Sequence, residues 1–134
     1  MNVLIVEDDA VSREILKAIL GDYSHCDEAE NGQIAVEKYR ASLESGVPYD
    51  LICLDIMMPV MDGQAALREI RRVEAEKGIG GRDLVKVVMT TALEDPQNVM
   101  EAFVKGACEA YLTKPILPGK IVQLLVDFGL IEQE

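Results

Sequence analysis

The chain has little of three things that decide where and how a protein works. It carries 3 cysteines, Cys26, Cys53 and Cys108, and no two of them stand in a C-x-x-C pair. An odd, scattered set fits neither a disulfide framework nor a zinc site, and a reduced, cytoplasmic protein is expected. Cys53 lies inside the run Leu51-Ile52-Cys53-Leu54, where a free thiol packs as a small hydrophobe. Cations are short as well: 13 Lys and Arg stand against 24 Asp and Glu, a formal net charge of −11. That balance supplies no basic face for nucleic-acid phosphates. Long apolar runs are missing, and none nears the ~20 residues a membrane-spanning helix needs. The first cation, Arg13, follows an acidic cluster, so neither secretion nor membrane insertion is expected.

What is present suits a folded domain. The 134 residues match the size of one domain, and 49% hydrophobic residues rule out disorder. A chain of this length buries enough surface to fold without a metal or a disulfide. No repeat or low-complexity tract appears, and a single domain spanning 1–134, with no appended output domain, is expected.

Short apolar runs alternate with longer amphipathic stretches. Val3–Val6 reads as a buried strand, followed by Val11, Ile15, Leu16, Ile19 and Leu20 at helical spacing and a stop at Gly21. A weaker strand near Ser24–Ala29 precedes a helix from Gly32 with Ile34, Val36 and Tyr39 on its apolar side. Leu51–Leu54 is the clearest strand, and Leu67, Ile70 and Val73 mark the next helix. Leu84–Thr90 is strand-like, and Asp95-Pro96 reads as the N-cap and first turn of a helix ending at Gly106. Ala110–Thr113 is a last short strand, and Ile121, Leu124, Leu125 and Phe128 line a final helix. Five apolar strands alternating with helices predict an α/β fold, a parallel sheet covered on both faces.

The polar residues that interrupt this pattern fall at strand ends. Glu7-Asp8-Asp9 follow the first strand, Asp55 the third, Thr90-Thr91 the fourth and Lys114 the fifth. Open α/β sheets bind ligands outside the carboxyl ends of their strands, so these groups converge on one edge. Gathered carboxylates repel unless a cation joins them, and Mg²⁺ suits a few oxygen ligands plus water. A lysine facing the same pocket offers a point charge to a phosphoryl oxygen.

Four strings carry a resemblance. Val3-Leu4-Ile5-Val6-Glu7-Asp8-Asp9, the segment Asp50–Gly63, Thr91-Ala92 and Lys114-Pro115 resemble, in order and spacing, the receiver domain of two-component response regulators. The likeness spans essentially the whole chain and is greatest to stand-alone receivers of the chemotaxis-regulator type. It implies a flavodoxin-like, doubly wound five-stranded sheet. Asp55 would be the phosphoacceptor, taking a phosphoryl group from a sensor histidine kinase or phosphotransfer protein. Asp8, Asp9, Asp55 and the backbone carbonyl of Met57 would hold Mg²⁺. Lys114 would pair with a phosphoryl oxygen, the Thr91 hydroxyl with another, and Tyr111 would turn inward as the threonine moves. Lys114–Pro115 would be a cis bond. Residues alone leave Thr90 and Thr91 open, since alternation sends them to opposite faces; the motif, with its small following residue, assigns Thr91. Glu7 has the weaker claim among the three acids.

Output would come through binding. The resemblance places the target-protein surface on the helix over 95–106, the last strand and the last helix, with Val99, Phe103, Lys105 and Lys120 as candidates. A monomer that can dimerise on activation is expected. Met57 and Leu93 occupy the two positions that tune phosphoryl lifetime in the family; both are apolar, so slow self-hydrolysis is expected. The alternative within the same fold is a pseudo-receiver that binds partners without phosphorylation. A phosphohydrolase of the dehalogenase-like kind would need an acid where Met57 stands. An FMN binder would need a phosphate cradle where three carboxylates follow Val6. His25, the single histidine, shows no partner spacing and reads as a loop residue.

Overall fold

The computed structural model describes residues 1–56, 58, 60–91 and 108–132. Five parallel strands form one sheet: β1 (Asn2–Val6), β2 (His25–Ala29), β3 (Leu51–Asp55), β4 (Lys86–Thr91) and β5 (Ala110–Thr113), in the spatial order β2-β1-β3-β4-β5. Four helices are described: α1 (Ala10–Leu20), α2 (Gly32–Ser45), α3 (Gly63–Glu76) and α4 (Pro118–Asp127). The helix expected over 95–106 lies outside the described residues.

Strand alternation divides the apolar residues between two cores. Leu4, Val6, Ile52, Leu54, Val87 and Met89 face one way and meet Ala35, Val36 and Tyr39 of α2 and Ala66, Leu67, Ile70 and Val73 of α3. Val3, Ile5, Leu51, Cys53 and Val88 face the other way and meet Leu16 and Leu20 of α1 and Ile121 and Leu125 of α4. A strand covered on both faces must be apolar at every position, which is why β1 and β3 read as unbroken runs. Cys53 belongs to this packing, and burial pushes its thiol up to about 12. The described cysteines are all free.

Helix α1 departs from its expected face. Leu16 and Leu20 are buried, but Val11 and Ile15 are exposed. These two lie one turn apart on the side that borders the carboxyl ends of the strands. No described helix is long and apolar enough to cross a membrane.

Candidate functional site

Asp55 is the last residue of β3, and the register places it opposite Thr90 of β4. It is 4% exposed. Glu7 follows β1, whose ladder continues through Glu7 N–H donating to Ala29 O at 3.1 Å. Lys114 follows β5, its N–H donating to Thr91 O at 2.7 Å, and its bond to Pro115 is cis. The central strands β1 and β3 and the edge strand β5 thus deliver two acids and an ammonium to one pocket. Lys114 Nζ stands 2.7 Å from Glu7 Oε2 and 3.4 Å from Asp55 Oδ2. With the exposed Asp8, Glu7 and Asp55 offer one carboxylate oxygen each within 4.8 Å of one another.

The electrostatics of this pocket are unbalanced. Glu7 is 1% exposed, and burial raises its pKa to about 7; Lys114 pulls it down and Asp55 pushes it up. The Lys114–Glu7 contact is an ion pair rather than a well-aligned hydrogen bond. It leaves Glu7 Oε2, among the described residues, as the buried side-chain oxygen that accepts no hydrogen bond. Burial opposes the charge on Lys114, but its two carboxylate partners outweigh this and raise its pKa. Three convergent carboxylates with one ammonium still carry excess negative charge. An all-oxygen donor set of this kind fits a hard divalent cation such as Mg²⁺.

Asp9 stands apart from the acids gathered at Asp55. The acids brought to Asp55 are Glu7 and Asp8, not Asp8 and Asp9. Asp9 is the N-cap of α1: its carboxylate accepts the Val11 and Ser12 N–H groups, each at 3.3 Å, and the Ser12 hydroxyl at 2.7 Å. The Ser12 hydroxyl holds its pKa below the ordinary value. The chain must turn from β1 into α1 within three residues. The last of the three is therefore taken by the cap, and the first stays on the strand axis. Asp9→Ala should lower the thermal midpoint by a few degrees, as loss of a cap does. It should leave Mg²⁺ affinity, measured by titration calorimetry, near the wild-type value; a loss as large as that in Asp8→Ala would restore Asp9 to the ligands.

Thr90 and Thr91 are both buried, and Thr91 is tied through its carbonyl to the Lys114 backbone. Tyr111 is 44% exposed on the outer strand. Met57, Leu93, Val99, Phe103 and Lys105 lie outside the described residues, and Lys120 is exposed on α4. His25 is exposed beside Asp27, 3.2 Å away, far along the chain from the acids. Next to the site, a cavity of about 400 Å³ is lined by Glu7, Ser12, Ile15, Leu16, Lys114, Pro115 and Ile116.

One buried polar cluster had no counterpart in the sequence analysis. Glu74 of α3, fully buried, accepts hydrogen bonds from Tyr39 Oη, Val85 N–H and Arg71 Nη1, each at 2.8 Å. Arg71 also reaches Glu109, with Nη2 at 3.2 Å from both carboxylate oxygens. The available signal was position. Leu67, Ile70 and Glu74 follow the helical stripe, so a charged residue stands where an apolar one belongs.

Residues 3–126 match the family model for the response regulator receiver domain. A rice protein, two-component response regulator ORR41, is 35% identical over 133 residues, covering 97% of this chain and 95% of its own. Among solved structures, the co-crystal of the yeast phosphotransfer protein Ypd1 with the receiver domain of Ssk1 matches with a TM-score of 0.82. That match is 31% identical and covers 97% of this chain and 89% of the other. The CheX–CheY–BeF3–Mg complex of Borrelia burgdorferi matches with a TM-score of 0.78 at 30% identity. It covers 98% of this chain and 90% of the other.

Proposed function

The chain belongs to the response regulator receiver domain family, a module of two-component phosphorelays, and from that membership we propose that Asp55 is its phosphoacceptor. The observation that carries the assignment is the pocket itself: Asp55 ends a central strand beside Glu7 and Asp8, with Lys114 Nζ 3.4 Å from its carboxylate. A carboxylate oxygen of Asp55 attacks the phosphorus of a phosphohistidine on a kinase or phosphotransfer protein. The P–N bond breaks, its electron pair returns to the imidazole nitrogen, and an aspartyl-phosphate forms. Lys114 exchanges its carboxylate partners for a phosphoryl oxygen. Glu7, Asp8 and Asp55 would hold Mg²⁺, a reading supported by the magnesium in the Borrelia complex, and the ion would supply positive charge to balance what develops on the transferred group. Thr91, whose carbonyl joins β4 to the Lys114 backbone, takes the switch role, and Tyr111 on β5 is the aromatic that turns with it.

The donor must bring a histidine to Asp55, so its surface covers the rim where Val11, Ile15 and Leu117 are exposed. The Ypd1–Ssk1 pairing in the yeast structure supports a donor of the phosphotransfer class. We read the chain as a cytoplasmic receiver whose chemistry is confined to its own phosphorylation and slow dephosphorylation. Its output is protein binding through β5, α4 and residues 95–106.

The test is intact mass after treatment with acetyl phosphate and Mg²⁺. Wild type should gain one phosphoryl group, about 80 Da, and Asp55→Asn should gain none. Chelation of Mg²⁺ should reduce the gain to background. No gain in a folded wild type would favour a phosphorylation-independent module, and a gain in Asp55→Asn would mean another acceptor.

A further inference from the structure

β5 is four residues long, and two of its side chains, Ala110 and Leu112, half-buried against the core around Ile121 and Leu125, contribute to its register. Its burial alternates between half-buried Ala110 and Leu112 and exposed Tyr111 and Thr113, with no fully buried residue. Strand register is strongly set only where one face is buried, and a slip by one residue exchanges the faces. Here a slip would also carry Lys114 about 3.3 Å along the sheet, more than its contacts with Glu7 and Asp55 could absorb.

Further specification is supplied by the residue just before the strand. Glu109 N–H donates to Val87 O at 3.0 Å, and Glu109 Oε2 accepts the Val87 N–H at 2.6 Å. One residue therefore holds both polar groups of Val87, its carboxylate standing where a strand carbonyl would otherwise accept. The next pair in the ladder is Val88 with Ala110, which follows directly from that grip. Arg71 fixes the carboxylate with Nη2 on both of its oxygens, while Nη1 donates to Glu74 Oε1 and, at 2.9 Å, to Val85 O. Glu109 cannot move along β4 without leaving Arg71.

We propose that Glu109, held by Arg71, is a positioning residue that locks the register of β5 and so sets Lys114 on the phosphoacceptor. The proposal rests on the roles given above to Asp55 and Lys114.

The test compares Glu109→Ala and Glu109→Gln in the wild-type and Lys114→Ala backgrounds. One readout is the rate of phosphorylation by acetyl phosphate with Mg²⁺, followed by intact mass. The other is amide hydrogen exchange at Val87 and along β5. E109A should slow phosphorylation about threefold or more and speed exchange at both places. E109Q keeps a carbonyl that can accept the Val87 N–H, and it should restore most of the rate. In the Lys114→Ala background E109A should cost nothing further, because the group it positions is gone. Should E109A fail to fold, Glu109→Asp, one methylene too short to span Val87 and Arg71, carries the same expectation. A folded E109A that reacts at the wild-type rate overturns the proposal. So does an equal loss in the Lys114→Ala background, which a merely structural role would give. A wild type that takes no phosphoryl group overturns the role of Lys114 instead, and the exchange data then decide the register lock alone.

Discussion

Glu74→Ala should cost about 3–5 kcal/mol of stability, read as a fall in the urea midpoint with the slope unchanged. The size follows from what the carboxylate leaves behind. Two donors, Tyr39 Oη and Val85 N–H, lose their acceptor in a fully buried place, and Arg71 Nη1 is left with Val85 O alone. Water cannot replace it there, and an unpartnered buried group keeps its full desolvation cost. Glu109 would remain on Arg71, so the guanidinium would keep one counter-charge. Glu74→Gln should cost clearly less, since its carbonyl can still serve Tyr39 or Val85 while its amide opposes Arg71. Equal losses for the two variants would mean that packing volume, not the hydrogen-bonded charge, supports α3 against α2 and β4. Tyr39 gives a second check: burial, then the bond to Glu74, raises its phenol pKa, so its absorbance should titrate at lower pH in the Ala variant.

The contrast between Glu74 and Asp55 explains what was legible in the sequence. Asp55 ends an unbroken apolar strand, and a strand's carboxyl end opens onto the ligand edge of a parallel sheet, so chain position fixed its place. Lys114 and the strand cores were legible for the same reason. Glu74 sits among Arg71, Arg72 and Glu76, where a charge run ordinarily marks a solvated helix face. Tyr39, 35 residues away, and the main chain at Val85, just before β4, make it a buried residue, and such partners cannot be seen along the chain. That Glu7, and not Asp9, gathers with Asp8 at Asp55 has a local cause. Three consecutive acids look alike in a string, but a helix start selects one of them as its cap, and the cap's carboxylate is then spent. The outward turn of Val11 and Ile15 reflects a limit of periodicity, which marks an apolar stripe without saying how much of it the sheet covers.

The second large effect is expected at Gly63. A β-carbon built there would lie 2.2 Å from Asp55 O, 2.8 Å from Ile56 Cα and 2.9 Å from the Asp55 carbonyl carbon. All three are main-chain atoms at the end of a central strand, so no rotamer change relieves the clash. The surroundings have little slack. Gly63 N–H donates to Ile56 O at 2.9 Å, Asp62 caps α3 through Ala65 N–H at 2.8 Å, and Val60 is held at φ 70°, where a β-branched residue is strained. Either α3 backs away from β3, opening the core around Ala66 and Leu67, or the end of β3 shifts and takes the Asp55 carboxylate with it. Gly63→Ala should therefore cost about 3 kcal/mol or more in urea unfolding. Among molecules that remain folded, phosphorylation by acetyl phosphate should fall as well. Gly119→Ala supplies the control, because a β-carbon there meets nothing within 4 Å and the residue lies in the first turn of α4. It should leave phosphorylation unchanged and stabilise the chain by about 0.5–1 kcal/mol, the ordinary gain of alanine over glycine in a helix. If Gly63→Ala is instead as stable as Gly119→Ala, the close approach of α3 to the phosphoacceptor strand is not a constraint on this fold. The glycine that ends the Asp50–Gly63 string would then have to be explained by something other than sterics.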